Sequence, residues 1–136
     1  MHTNAIAPRL VALALLAGLA LTSLAACGQK SAGTYVFSVA RGEVAMGGDA
    51  LVDVTLTKEG NAEPVADAVI FETRFDMEPD GMGAMDAPVK ADGSPTPGTY
   101  RFIVHPTMAG RWALKLNAKV QGENDTVRGQ VIVTAR

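Results

Sequence analysis

The sequence predicts an all-β domain, an antiparallel sandwich of short strands, and three observations carry that expectation. Apolar residues recur with period two in run after run, turn-forming clusters separate the runs, and no segment after residue 33 shows an amphipathic helix of useful length. A period of two is what a strand with one buried face requires, because successive side chains point to opposite faces of the sheet.

Six strands are expected, near residues 34–41, 50–57, 68–75, 99–105, 111–120 and 127–134. Tyr35, Phe37 and Val39 alternate in the first, Val52, Val54 and Leu56 in the second, and Phe71, Thr73 and Phe75 in the third. The second half repeats the pattern in Tyr100, Phe102 and Val104, in Trp112, Leu114 and Leu116, and in Val131 and Val133. Gly47-Gly48-Asp49, Glu59-Gly60-Asn61, Pro97-Gly98 and Gly122-Glu123-Asn124-Asp125 punctuate them as turns. The stretch 76–98 is rich in Gly, Pro and Asp and lacks a strong strand pattern. Structureless loops of that length are uncommon in compact domains and are often functional. A weak strand around 87–92 would shorten it and complete an immunoglobulin-like sandwich of about seven strands.

The first 26 residues read as a signal peptide. A lone cation, Arg9, precedes an apolar run from Leu10 to Leu21, the proportions of an export signal. That run is shorter than the roughly 20 apolar residues a membrane span needs. It ends in Leu24-Ala25-Ala26-Cys27, which resembles the lipobox of bacterial lipoproteins. That resemblance implies a diacylglyceryl group on Cys27, cleavage before it and anchorage of the protein to a membrane. Residues 27–33, small and polar, then form a tether, and 34–136 form the domain. Gly28 stands where an aspartate commonly retains lipoproteins in the inner membrane, which inclines the expectation towards the outer membrane with the domain facing the periplasm.

Lipidation of the sole cysteine leaves no thiol for a disulfide, a zinc site or a nucleophile. Removal of Arg9 leaves eleven basic against fourteen acidic side chains, a balance with nothing to offer a nucleic-acid backbone. Acids dominate up to Asp92, whereas Arg101, Arg111, Lys115, Lys119, Arg128 and Arg136 fall beyond it. Such an order either segregates into an acidic and a basic face or scatters over the surface. An enzyme is not expected, because no serine, histidine and carboxylate grouping or cofactor loop is visible.

Chemistry concentrates in Asp76-Met77-Glu78-Pro79-Asp80-Gly81-Met82-Gly83-Ala84-Met85-Asp86. Methionine normally fills core gaps, so three of them in a polar loop call for a reason. A thioether is a soft, uncharged donor at any ordinary pH and suits Cu(I). Downstream, His105-Pro106-Thr107-Met108 sets the histidine of the mature chain three residues before a fourth methionine, and imidazole is another good copper ligand. Met77, Met82, Met85, His105 and Met108 are therefore the candidate metal ligands. The competing role for the methionines is to plug the open end of the sandwich. Topology decides whether the two segments meet. If the weak strand near residue 90 runs back, strand 99–105 returns His105 and Met108 to the end where Met77, Met82 and Met85 lie. If it is absent, they stand at opposite ends.

Asp76, Glu78, Asp80 and Gly81 occupy the first, third, fifth and sixth places of an EF-hand pattern, but a calcium loop is not expected. Ala87 stands at the twelfth, where a bidentate glutamate is needed, and Pro79 interrupts the loop. The acids are expected instead to solvate the loop or assist a transient Cu(II).

The order of a methionine-rich loop, Gly98-Thr99-Tyr100, and Met108-Ala109-Gly110-Arg111-Trp112 followed by alternating apolar residues resembles the YtkA-like family, related to the FixH-like proteins. The resemblance covers most of the chain after Cys27. It implies a small immunoglobulin-like sandwich outside the bacterial inner membrane, an association with copper, and an efflux-pump or oxidase-assembly protein as partner. Met77, Met82 and Met85 match the family's methionine-rich segment and Met108 the methionine before its Gly-Arg-Trp turn. Family loops often read as a tight Met-Pro-x-Met-x-Met, whereas acids and Gly81 here separate Met77 from Met82. Gly110 and Trp112 look structural, the one for a tight turn and the other as a core anchor. The expected function is copper binding, as Cu(I), for buffering or transfer. A non-metal interaction module of an envelope complex is the alternative.

Overall fold

The computed structural model describes residues 34–136. The expected signal peptide, lipobox with Cys27 and tether lie outside the described residues. Nine strands fold into two facing sheets. They are β1 (Tyr35–Val39), β2 (Glu43–Val44), β3 (Ala50–Lys58), β4 (Val69–Met77), β5 (Met82–Ala87), β6 (Val89–Ala91), β7 (Thr99–Val104), β8 (Gly110–Lys119) and β9 (Val127–Ala135), with one 3-10 turn at Glu78–Asp80. One sheet has the order β1-β3-β7-β6 and the other β2-β9-β8-β4-β5.

The six expected strands are all present, and the weak strand near residue 90 is β6, antiparallel to β7 with Val89 opposite Val104. Three features depart from expectation. β5 occupies part of the stretch read as a loop, because its Met, Gly and Ala residues carry no strand periodicity of their own. It is held by pairing with β4. β2 is only two residues long and pairs parallel with β9, the exception in otherwise antiparallel pairing. Phe71, expected on the core face, is 54% exposed. The cause is a register shift between β4 and β8, where Ile70 opposes Ala118 and Glu72 opposes Asn117, so that Phe71 has no partner in the β8 register. An extra residue in one strand flips the side chains on either side of it. Ile70 then packs against the core in place of Phe71.

The core lies between the sheets and takes the alternating residues of each long strand. Val52 and Val54 of β3, Phe102 and Val104 of β7, Trp112, Leu114 and Leu116 of β8, and Val131 and Val133 of β9 are all buried. Phe75 of β4 stacks on Trp112 with ring centroids 4.8 Å apart. At the end away from the methionines, the Tyr100 hydroxyl donates to the Val65 carbonyl (2.6 Å) and accepts from the Ala68 amide (3.0 Å). Gly98 precedes it at a φ of +82°, where an added Cβ would stand 2.5 Å from that of Pro64. The Gly98-Thr99-Tyr100 piece is thus accounted for by packing and backbone shape.

Acids of the first half pair with bases of the second across neighbouring strands, as in the two bonds from Arg101 to Asp53 (2.7 and 2.8 Å), on residues in register between β3 and β7.

Candidate functional site: the methionine pole

β4 runs to one end of the sandwich and finishes at Met77. The 3-10 turn follows, closed by Gly81 in the left-handed region at a φ of +76°. β5 then doubles back along β4, with Met82 opposite Met77 and Asp86 opposite Asp76. Gly83, Ala84 and Met85 have no register partner on β4, although Arg74 Nη2 of β4 donates to the Gly83 carbonyl (2.8 Å). At Pro88 the chain crosses to the other sheet, and the Pro88 carbonyl accepts from the His105 amide (3.1 Å). β6 descends, β7 returns, and its end at Val104 lies level with Val89 and Ala50. The up-and-down condition is met: His105 and Met108 follow β7 at the end where Met77, Met82 and Met85 lie.

The same pole collects a further methionine. β2 runs parallel to β9 as far as the pairing of Val44 with Ala135, and Gly110 pairs with Ala135 from the other side. The Met46 amide donates to the Arg136 carbonyl, and the Gly47 amide donates to the Pro106 carbonyl, each at 2.9 Å. All five methionines among the described residues thus stand at one end of the domain.

Their exposure divides them. Met77 is wholly buried within the core cluster, and its Cε would lie 2.6 Å from a Cβ on Gly110. It fills the plugging role weighed for the group. Met82, Met85 and Met108 are 36%, 39% and 39% exposed, and Met46 is 47% exposed. Exposing this much apolar side chain forgoes part of the roughly 1.5 to 3 kcal/mol that burial would return. The position of Met108 is fixed through its backbone, whose carbonyl accepts from Trp112 Nε1 (3.1 Å).

His105 points its Nδ1 at Asp49 Oδ1, 2.9 Å away, and its side chain is 41% exposed. When Nδ1 carries the proton it donates to that carboxylate, and Nε2 keeps a free lone pair. Carboxylate-oriented imidazoles of this kind are common behind metal ligands. Asp49 and Met46 were not singled out from the sequence. Asp49 is marked in the sequence only as part of a turn and Met46 not at all, and it is the pairing of Ala50 with Val104 and the backbone bonds to Pro106 and Arg136 that bring them to this pole.

The acids of the turn are paired with cations of the protein, and Asp76, expected to solvate the loop, is instead buried. Asp76 is fully buried and receives Arg74 Nε (2.7 Å), Lys115 Nζ (2.9 Å) and the Glu78 amide (3.1 Å). Lys115 also pairs with Glu78. Asp80 accepts from the Arg111 backbone amide (2.7 Å) and from Arg111 Nε (2.8 Å), while Arg111 Nη2 donates to the Pro79 carbonyl (2.8 Å). Each carboxylate thus faces a cation of the protein. Among the described residues no three His, Cys, Asp or Glu side chains gather as a metal-holding group. The donors left open at the pole are thioethers, one imidazole and the exposed carboxylate of Asp86 beside Met85.

These pairs shift the carboxyls in a direction that can be measured. Burial alone pushes the Asp76 carboxyl up, but hydrogen bonds from Lys115, Glu78 and Arg74 together outweigh it and hold it below its ordinary value of 3.8. Asp80 is also held below 3.8, first by the Arg111 amide and then by its side chain. A carboxyl whose folded pKa is depressed contributes stability that is complete above the unfolded value and is lost as the pH falls through the folded one. Chemical denaturation between pH 7 and pH 2 is therefore expected to show stability flat down to about pH 5 and falling below about pH 4. Asp76→Asn is expected to flatten that acid limb, and an acid limb unchanged in Asp76→Asn would contradict the assignment.

An immunoglobulin-like sandwich with a thioether-lined pole is the class of protein that fold and geometry define. The family model described as YtkA-like matches residues 29–117, and the chain belongs to that family. Among solved structures it is similar to the filamin domain of Lin-41, at 16% identity and a TM-score of 0.45, covering 77% of this chain and 94% of that one. It is similar also to the ZirS C-terminal domain, at 10% identity and a TM-score of 0.46, covering 100% of this chain and 87% of that one. A conjugative transposon lipoprotein from Bacteroides eggerthii gives 11% identity and a TM-score of 0.34, covering 73% of this chain and 95% of that one. Comparison with curated proteins by sequence gave no match.

Proposed function

We propose that the protein is a non-enzymatic, copper-binding lipoprotein of the cell envelope, anchored through Cys27 and facing the periplasm. It takes up Cu(I) at the methionine pole, then buffers it or passes it to an efflux-pump or oxidase-assembly partner. One observation carries the reading: Met82 and Met85 on β5 and the sequence-distant Met108 are partly exposed at the same end as His105, while Asp76, Glu78 and Asp80 are committed to lysine and arginine. Neutral soft donors with few competing hard ones favour a monovalent soft cation over calcium or zinc. Met77, buried in the core opposite Met82, is left out of the ligand set. Open, partly exposed thioethers suit exchange with a second protein better than permanent storage, because an incoming ligand can reach the ion before the last thioether leaves.

The test is a competition titration with a Cu(I) chelator under anaerobic, reducing conditions. Binding by the protein, lost when Met82, Met85 and Met108 together become leucine, is the expected result. No binding, or binding that survives all three changes, would sink the proposal.

A second reading has its own observation. β5 covers β4 only from Phe75 to Met77, so the edge of β4 from Val69 to Arg74 is open among the described residues, with Val69 and Phe71 exposed on it. An open apolar edge is a route to strand addition by a partner. Under that reading partner capture ignores copper and chelators, and Phe71→Glu abolishes it.

A further inference from the structure

We infer that the domain stands with its methionine pole pointing away from the membrane that holds Cys27, so that a Cu(I) acceptor reaches the site from the aqueous side and not from the bilayer surface. This direction rests on the proposed function, on its lipid anchor and its copper site, and names the side from which the site is served.

The chain enters the domain at the end opposite the methionines. Tyr35, the first residue of β1, pairs with Lys58, the last of β3, and the Thr34 carbonyl accepts from the Glu59 amide (2.8 Å). The Tyr35 hydroxyl donates to Glu123 (2.8 Å), which ties the point of entry to the turn between β8 and β9 as well. The other end of β3, Ala50, pairs with Val104, next to the turn that carries His105 and Met108. β4 spans the same distance between the two ends, from Val69 opposite Lys119 to Met77 opposite Met82.

Two lengths then decide which end can meet the membrane. The nine residues of β3, rising about 3.4 Å each, set its ends about 27 Å apart. From Cys27 to Thr34 the chain makes seven residue steps, which at no more than about 3.6 Å each reach at most about 25 Å whatever shape they take. A domain inverted onto its methionine pole would hold Thr34 above the surface by more than that reach, since the turn of residues 105–109 adds to the length beyond Val104. The link is too short for that pose. Met82, Met85 and Met108, partly exposed at the free end, therefore face water and whatever acceptor arrives through it.

The experiment uses the full chain, extracted with its lipid from envelope membranes and reconstituted into vesicles of phosphatidylethanolamine and phosphatidylglycerol. Because lipidation consumes the native thiol, Gly48→Cys on the methionine pole and Gln121→Cys on the entry pole each take a single fluorescent donor. Nothing lies within 4 Å of a Cβ at Gly48, and Gln121 is exposed. Energy transfer to acceptor-labelled lipid headgroups is expected to be severalfold stronger from Gln121→Cys than from Gly48→Cys. A Gly/Ser insert after Gly33 that doubles the link is expected to narrow the gap, because the inverted pose then comes within reach. Equal transfer from the two positions, or stronger transfer from Gly48→Cys, would overturn the inference. A gap that the insert leaves unchanged, or a chain that does not bind the vesicles, would also overturn it. Cu(I) affinity measured by chelator competition on the same vesicles separates the two proposals: binding alongside equal transfer leaves the copper site standing, and absence of binding removes both.

Discussion

Trp112→Ala is expected to cost roughly 3 to 5 kcal/mol, the range for truncating a large buried aromatic. Against the total of about 5 to 15 kcal/mol typical of a domain, that leaves the variant near the edge of folding. The expectation follows from position. Trp112 is fully buried, stacks on Phe75 at an interplanar angle of 16°, and is the largest side chain in the core. Its indole also donates to the Met108 carbonyl, so one side chain holds the centre of the sandwich and one loop of the pole. Trp112→Phe separates the two roles: it keeps most of the apolar contact but leaves the Met108 carbonyl without its donor. Urea denaturation is expected to show a far larger fall in midpoint for alanine than for phenylalanine. Equal midpoints for wild type and Trp112→Ala would contradict the account of the core.

The second large effect is expected at Gly110, which begins β8 at a φ of +138°. A side chain there meets two penalties. The backbone shape costs a residue other than glycine about 1 to 3 kcal/mol. An added Cβ would also lie 2.6 Å from both Met77 Cε and Asp80 Oδ2, and overpacking of this kind costs about a further 1 to 3 kcal/mol. Relief requires both that the Met77 methyl move from its core position and that Asp80 shift its hold on Arg111, and these movements disturb the turn between β4 and β5. Gly110→Ala is therefore expected to lower the denaturation midpoint strongly. Gly48→Ala is the control and is expected to change little, since nothing lies within 4 Å of a Cβ there and its φ is ordinary. Similar midpoints for the two variants would contradict the packing described at the pole.

Much of this architecture could be read in the sequence, for reasons particular residues make plain. The six long strands announce themselves because their inward residues are large and alternate, and a half-buried strand has no other way to satisfy both faces. The strand at Val89–Ala91 was legible only weakly, as the segment that would shorten a long loop and complete an immunoglobulin-like sandwich. What escaped detection depends on partners distant in sequence. Phe71 fits its alternation and fails only because β4 slips one residue against β8. β5 has no pattern of its own and exists as a strand through β4. Asp76, Glu78 and Asp80 look like a loop rich in free acid until Arg74, Lys115 and Arg111 are seen across from them. Met46 stands alone between Ala45 and Gly47, with no neighbour to mark it, and is brought to the pole by hydrogen bonds to the far end of the chain. The site was thus half legible. Residue chemistry pointed to thioethers and imidazole, and tertiary pairing decided which of them face solvent and which carboxylates were already taken.

The most direct test of the copper reading is nuclear magnetic resonance of protein labelled with 13C at its methionine methyl groups, recorded as Cu(I) is added under reducing conditions. The account predicts that the methyls of Met82, Met85 and Met108 shift together and saturate, and that the buried methyl of Met77 moves least. Methyl signals unchanged at a saturating excess of Cu(I) would contradict it.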